Sequence, residues 1–103
     1  MILKELLERS EYTLVQGSED VEISTLVYDS RKIEKGSVFV CISGAVSDGH
    51  TYIEQVAEKG AAAVIVEKDV EAPEGLTVIK VKDTRYALAM TSAAYFGYPA
   101  EKL

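Results

Sequence analysis

The sequence contains few of the residues that form metal centres, disulfides and nucleophilic sites. Among its 103 residues there are one cysteine and one histidine. A single cysteine excludes an internal disulfide and favours a reducing compartment, for which the cytoplasm is the default. With no second cysteine or histidine, we expect no metal site. A nucleophilic pair of Cys41 and His50 is disfavoured, because Cys41 lies in an apolar strand pattern and buried free cysteines are usually inert.

Long apolar runs and the standard phosphate-binding loops are also missing. No apolar run approaches the ~20 residues of a bilayer-spanning helix, and the charged N-terminal segment does not match a signal peptide. Neither Gly-x-x-x-x-Gly-Lys-Ser/Thr nor a strand followed by Gly-x-Gly-x-x-Gly occurs. The formal net charge of −6 argues against a nucleic-acid partner, because duplex binding requires Lys and Arg to neutralise phosphates. A small anionic ligand stays open, since a few backbone N–H groups and one basic side chain can bind a phosphate.

The composition is that of one globular domain, residues 1–103. Hydrophobic residues make up 48% of the chain and charged residues 27%, values that do not fit a disordered protein. A short amphipathic helix that packs on a sheet is predicted from the spacing of Ile2, Leu3, Leu6 and Leu7. Residues 11–22 indicate a loop or weak hairpin that turns at Gly17-Ser18.

The rest of the chain alternates strands with helices. Strands are predicted near residues 23–28, 38–42 and 77–81. Residues 61–66 are continuously apolar, which indicates a strand buried on both faces, as in a parallel sheet. With the helix predicted at 51–59 between them, strands 38–42 and 62–66 form a β-α-β unit.

Helix-capping residues support these boundaries. Thr51 and Glu54 have the spacing of a capping box at the start of the first long helix. Gly60 is a favourable residue just past its end.

The last helix is predicted over residues 85–96. Asp83 or Thr84 can cap its first turn, Gly97 ends it, and Pro99 prevents its continuation. These elements predict a three-layer α/β domain with a mostly parallel, mixed sheet flanked by helices.

Two polar turns follow predicted strands and are the candidate functional segments. Asp29-Ser30-Arg31 could be a simple Asx turn in which Arg31 is solvated or pairs with Asp29. Alternatively, Ser30 could donate a hydrogen bond to a phosphate or base oxygen. Residues 44–50 carry the same ambiguity, because their glycines could serve turn geometry alone. The residues by themselves therefore predict an α/β domain with a candidate anion-binding rim.

Five segments, in their order and spacing, resemble the N-terminal domain of the Mur ligases. They are Tyr28-Asp-Ser-Arg-Lys, Gly36-Ser-Val-Phe-Val-Cys-Ile, Asp48-Gly-His-Thr-Tyr-Ile, Gly60-Ala-Ala-Ala-Val-Ile-Val-Glu67, and Asp83-Thr-Arg with Ala87-Leu-Ala89. The resemblance covers about residues 21–103. Mur ligases are cytoplasmic, ATP-dependent enzymes that add amino acids to the UDP-N-acetylmuramoyl peptide precursor of peptidoglycan.

The resemblance implies a binding domain of a larger enzyme. Residues 94–103 are similar to the family member that adds the third peptide residue; the dipeptide-adding ligase and a stand-alone interaction module are the alternatives. The domain would hold the UDP portion of UDP-N-acetylmuramoyl-L-Ala-D-Glu and would not catalyse alone. ATP, Mg²⁺ and the incoming amino acid would bind the central and C-terminal domains, which this sequence does not contain. We expect no membrane insertion and no nucleic-acid partner.

The resemblance also implies particular ligand contacts. Tyr28, at a position that is usually aliphatic, would face the nucleotide through its backbone, and Ser30 would be the principal contact with uridine diphosphate. The segment Ala45, Val46 and Ser47 would wrap the uridine. Relatives carry polar side chains there and this sequence departs from them, so the contacts would run through the backbone and apolar packing. Supporting roles would fall to Asp29, Arg31, Gly44, Asp48 and His50.

Overall fold

A single mixed sheet with helices on both faces forms the domain. The computed structural model describes residues 2–8, 10–42 and 48–95. The strands are β1 Thr13–Gln16, β2 Thr25–Val27, β3 Ser37–Val40, β4 Ala63–Val66 and β5 Thr77–Lys80. The helices are α1 Leu3–Leu6, α2 Ile53–Glu58 and α3 Thr84–Tyr95, and short 3₁₀ turns occupy Ser30–Lys32 and Gly49–Tyr52.

The strand order is β1-β5-β4-β3-β2, with β1 antiparallel to β5 and all other neighbours parallel. The prediction of a mostly parallel, mixed sheet is confirmed. The pairing of β3 with β4 around α2 also confirms the predicted β-α-β unit.

Of the two alternatives predicted for residues 11–22, a loop or a weak hairpin, the hairpin is wrong. Their strand, β1, pairs with β5 instead, placing Thr13 opposite Lys80. After Gly17, the carbonyls of Glu19 and Val21 accept hydrogen bonds from the first amides of α1, at 2.7 and 2.9 Å. The second half of the segment therefore provides hydrogen-bond acceptors for the first amides of α1, and it is not available as a hairpin partner for β1.

Alternate strand residues feed two separate cores, which accounts for the three layers. In β3, Val38 and Val40 pack toward α1 and α3, whereas Phe39 packs toward α2. Every residue of β4 is buried, as expected for a strand covered on both faces. Leu3, Leu6 and Leu7 are almost fully buried, so the predicted apolar face of the first helix is confirmed, although α1 is only one turn long.

The helix starts differ in part from the predicted caps. The capping box of Thr51 and Glu54 is wrong, because Thr51 lies in the 3₁₀ turn and its hydroxyl donates to the carbonyl of Asp48 at 2.8 Å. Gly60 follows α2 with φ +103°, as expected for a helix-ending glycine.

At α3 the side chain of Asp83 provides the cap. It accepts the amides of Arg85 and Tyr86 at 2.9 and 3.2 Å. The predicted helix end at Gly97 and Pro99 lies outside the described residues.

Candidate ligand-binding cleft

A cleft of about 620 Å³ opens where β2 and β3 end. Its described lining residues are Tyr28, Asp29, Ser30, Arg31, Phe39, Ile42, Gly49, Tyr52 and Gln55. Loops that follow the carboxyl ends of parallel strands are the usual ligand-binding edge of an open α/β sheet. The two candidate turns, which are separate in sequence, thus meet at one cleft.

The Asp29-Ser30-Arg31 turn is held by its own charged pair. The Asp29 carboxylate accepts the backbone amide of Arg31 at 2.9 Å. It also accepts the Arg31 guanidinium through Nε at 3.0 Å and Nη2 at 2.9 Å. The Arg31 side chain, followed by its backbone amide, lowers the pKa of Asp29 to about 2. The simple turn predicted from the sequence is therefore present, and the Arg31 guanidinium donates two hydrogen bonds to Asp29.

Ser30 stands at the cleft with its hydroxyl unengaged. Across the described ranges, no other residue hydrogen-bonds to that hydroxyl, so it is available as a donor to a ligand. Its carbonyl accepts the Lys59 ammonium at 3.0 Å. Lys59 does not line the cleft, so this contact is a brace that holds the turn from outside the cleft. The charged pair and this brace together fix the position of Ser30.

Asp48 and His50 anchor the second turn rather than line the cleft. The carboxylate of Asp48 accepts the His50 amide at 3.0 Å and contacts its ring nitrogen Nδ1 at 2.6 Å. Its other oxygen accepts the Lys68 ammonium, and this contact, ahead of the His50 bonds, lowers the pKa of Asp48. Both residues therefore have geometry suited to the supporting roles predicted for them.

Gly49 is required where the second turn crosses the end of β3. Its amide donates to the carbonyl of Ile42 at 2.9 Å. A Cβ atom added there would lie 2.8 Å from the Ile42 nitrogen and 3.0 Å from the Cys41 Cα. Only glycine allows this approach of two backbones, which shapes one wall of the cleft.

Glu67 joins the end of β4 to the start of α3. Its carboxylate accepts hydrogen bonds from the amide and the hydroxyl of Thr84. Its own amide donates to His50, which ties the second turn to the same point. The segments next to the cleft are thus fastened to the sheet rather than held by surface contacts alone.

Cys41 does not form a nucleophilic pair with His50. It is fully buried, and burial raises the pKa of its thiol to about 12. Both ring nitrogens of His50 are engaged by Asp48 and Glu67, so no Cys41–His50 pair forms. Within residues 2–8, 10–42 and 48–95, no group of three histidine, cysteine or acidic residues could hold a metal ion.

Four of the lining residues were not predicted from the sequence: Phe39, Ile42, Tyr52 and Gln55. Phe39 lies in β3 and Ile42 shortly after it, whereas Tyr52 ends the 3₁₀ turn and Gln55, three positions later, lies in α2. That spacing could have indicated a shared helical face. Gly44, Ala45, Val46 and Ser47, four of the predicted contact and supporting residues, lie outside the described part of the chain. None of the described helices is long and apolar enough to cross a bilayer.

Fold and cleft define a three-layer α/β domain with a candidate ligand-binding edge of mixed aromatic and polar character. Residues 22–96 match the family model described as "Mur ligase family, catalytic domain". The chain belongs to the Mur ligase family.

Two relatives illustrate the similarity. A UDP-N-acetylmuramoyl-L-alanyl-D-glutamate–2,6-diaminopimelate ligase of Clostridium perfringens is 48% identical over 100% of this chain and 21% of its own length. The ligase of the same name from Clostridioides difficile is 45% identical over 99% of this chain and 21% of its own length. The chain therefore spans about a fifth of the length of these curated relatives.

Solved structures show the same architecture. A crystal structure of MurF from Acinetobacter baumannii has a TM-score of 0.80 and 28% identity, covering 96% of this chain and 22% of that one. MurF of Thermotoga maritima in complex with ADP has a TM-score of 0.59 and 27% identity, covering 72% and 17% of the two chains.

Proposed function

We propose that this chain is the N-terminal, substrate-holding domain of a cytoplasmic Mur ligase and that it binds the UDP portion of UDP-N-acetylmuramoyl-L-Ala-D-Glu. The whole enzyme would form an amide bond at the expense of ATP and add the third peptide residue. The observation that carries the proposal is the cleft in which the Ser30 turn and the Gly49 turn meet. The unengaged Ser30 hydroxyl and the aromatic side chains of Tyr28 and Tyr52 suit a nucleoside diphosphate.

The division of labour follows from binding energetics. A domain that grips the unreacting UDP end supplies binding energy that positions the distant carboxylate of the peptide for reaction. In the part of the chain that the structure describes, the acidic side chains do not form a set fit to hold Mg²⁺. As the family resemblance implies, ATP and Mg²⁺ would be bound by other domains of the whole protein, where they would activate the carboxylate.

The names of the relatives favour the ligase that adds the third residue. The relatives that are 48% and 45% identical carry names of 2,6-diaminopimelate-adding enzymes. The structures at 27–28% identity include MurF, named in one case as a D-alanyl-D-alanyl ligase. Assay of the whole protein with a dipeptide acceptor plus diaminopimelate, and with a tripeptide acceptor plus D-Ala-D-Ala, separates the two. We expect product only from the first pair.

Binding by the chain itself is tested by titrating ¹⁵N-labelled protein with UDP-N-acetylmuramoyl-L-Ala-D-Glu. We expect the amide signals of Ser30, Arg31 and Gly49 to move, and those of Thr13 and Lys80 at the far edge of the sheet to stay. Affinity should be weak, in the millimolar range, because the contacts of the other domains are missing.

Ser30→Ala tests the site with a substitution that removes only the side-chain hydroxyl. The turn depends on Asp29 and Arg31, so the variant should fold unchanged and lose affinity several-fold through loss of one hydrogen bond to a charged group. Unmoved Ser30 and Gly49 signals at millimolar ligand would contradict the proposed function.

A further inference from the structure

One wall of the cleft carries an aromatic side chain that the fold leaves in solvent. Tyr28 follows β2 directly, lines the cleft and is 66% exposed. Its neighbours in the lining include Phe39, which is nearly fully buried, and Tyr52, which is half-buried in the 3₁₀ turn before α2. An exposed tyrosine beside a concave surface provides a flat, apolar platform of the kind on which nucleobases stack.

The same cleft is lined by one neutral amide side chain. Gln55 lies on α2 and is exposed. Over the described part of the chain, its carboxamide has no hydrogen-bond partner. A carboxamide presents a donor and an acceptor side by side. It therefore complements a base edge on which an N–H adjoins a carbonyl oxygen.

We propose that Tyr28 and Gln55 hold the nucleobase of the ligand. The Tyr28 ring stacks on the base, the Gln55 NH₂ group donates to a carbonyl oxygen of uracil, and the Gln55 Oε1 accepts the N3–H. This inference rests on the proposed function and adds to it the side chains that recognise the base. It also gives the base a side-chain hydrogen bond, which Ala45 and Val46 lack by their chemistry.

Stacking by Tyr28 is tested by calorimetric titration of the 103-residue chain with UDP. Tyr28→Ala should weaken binding roughly tenfold, a typical effect of removing one base-stacking aromatic, whereas Tyr28→Phe should bind as the unmodified chain does. The matched control is Tyr86→Ala. Tyr86 is 64% exposed but lines a separate cavity of about 400 Å³, so its loss should leave UDP affinity unchanged.

Gln55→Glu tests the hydrogen bonds to the base. A carboxylate only accepts, so it suits the amino group of cytosine and is repelled by the two carbonyl oxygens that flank the uracil N3–H. Repulsion of the diphosphate by the new charge is common to UDP and CDP. The ratio of the two affinities isolates the base edge, and we expect it to shift roughly tenfold toward CDP.

These titrations distinguish failure of the proposed function from failure of base recognition by Tyr28 and Gln55. If the unmodified chain binds neither UDP nor the full precursor, the proposed function is wrong. If it binds UDP but Tyr28→Ala and Gln55→Glu leave affinity and the UDP/CDP ratio unchanged, this inference is wrong and the proposed function stands. If a variant does not fold, the unmodified chain bound to UDP provides the test. We expect nuclear Overhauser contacts between the uracil protons and the Tyr28 ring. Contacts with other residues only would overturn the inference.

Discussion

The Nε2 atom of His50 accepts a hydrogen bond from the backbone amide of Glu67 at 3.0 Å. A backbone N–H can only donate, so the ring carries its proton on Nδ1 and directs it to Asp48, 2.6 Å away. The side chain is 3% exposed. A neutral imidazole thus bridges the turn before α2 and the end of β4, and it fixes the turn that forms one side of the cleft.

Replacing His50 should therefore destabilise the domain. His50→Ala removes the acceptor of the Glu67 amide and the ring contact with Asp48 at a buried site, which typically costs about 1–3 kcal/mol. The free energy of unfolding, from urea titration followed by circular dichroism, measures the loss. His50→Gln, whose side-chain oxygen can reach toward the Glu67 amide, should recover part of it. An unchanged midpoint in His50→Ala would contradict the bridging role.

The Asp29–Arg31 pair gives a prediction about pH. Arg31 holds the pKa of Asp29 at about 2 in the folded chain, whereas an unperturbed aspartate titrates near about 4. Because the folded pKa is the lower one, the pair's contribution is present above about pH 4 and is lost as the pH falls toward 2. Carboxyl ¹³C shifts of Asp29 should show this pKa.

Arg31→Ala should raise the pKa of Asp29 toward its ordinary value. Arg31→Lys, which keeps the charge but not the two-pronged geometry, should fall between. A pKa of Asp29 that is the same in all three proteins would show that the guanidinium is not its partner in solution.

Much of the fold was predictable because its information is local. The buried run at 61–66 and the apolar N-terminal face reappear as β4 and α1, since burial follows from hydrophobic pattern. The pairing of β1 was not predictable in the same way, because its partner β5 lies more than sixty residues further along the chain. Local pattern for residues 11–22 could suggest only a loop or a local hairpin.

The candidate site divides along the same line. Tyr28, Ser30 and Gly49 lie in short polar turns after strands, and their meeting follows from parallel pairing of β2 with β3. Gln55 reaches the cleft only because α2 packs over Phe39, a tertiary relation that residue type does not reveal. The capping box failed for a related reason: Asp48, three residues earlier, offers both a carboxylate and a carbonyl and takes over the cap.

Gly49 should not tolerate a side chain. In Gly49→Ala the new Cβ meets backbone atoms of Cys41 and Ile42, just after β3, at 2.8–3.2 Å, and backbone cannot yield as a flexible side chain would. We expect a loss of about 1–3 kcal/mol in the free energy of unfolding, typical of overpacking, together with weaker UDP binding.

Gly75→Ala is the control for Gly49→Ala. Gly75 has φ +89° with no atom within 4 Å of an added Cβ, so that variant reports backbone strain alone and should bind UDP normally. Equal UDP affinity in Gly49→Ala and the unmodified chain would show that the turn can shift without altering the cleft.

Lys59 should matter to ligand binding although it does not line the cleft. Its ammonium holds the Ser30 carbonyl at 3.0 Å, and Ser30 is the residue proposed to meet the diphosphate. Lys59→Met should raise the hydrogen-exchange rates of the Arg31 and Lys32 amides and weaken UDP binding by a factor of roughly two to five, the scale of one exposed charged contact. Lys32→Met removes an equal charge from the same turn without touching that carbonyl. If the two variants lose affinity equally, general electrostatic attraction explains the effect and the brace does not.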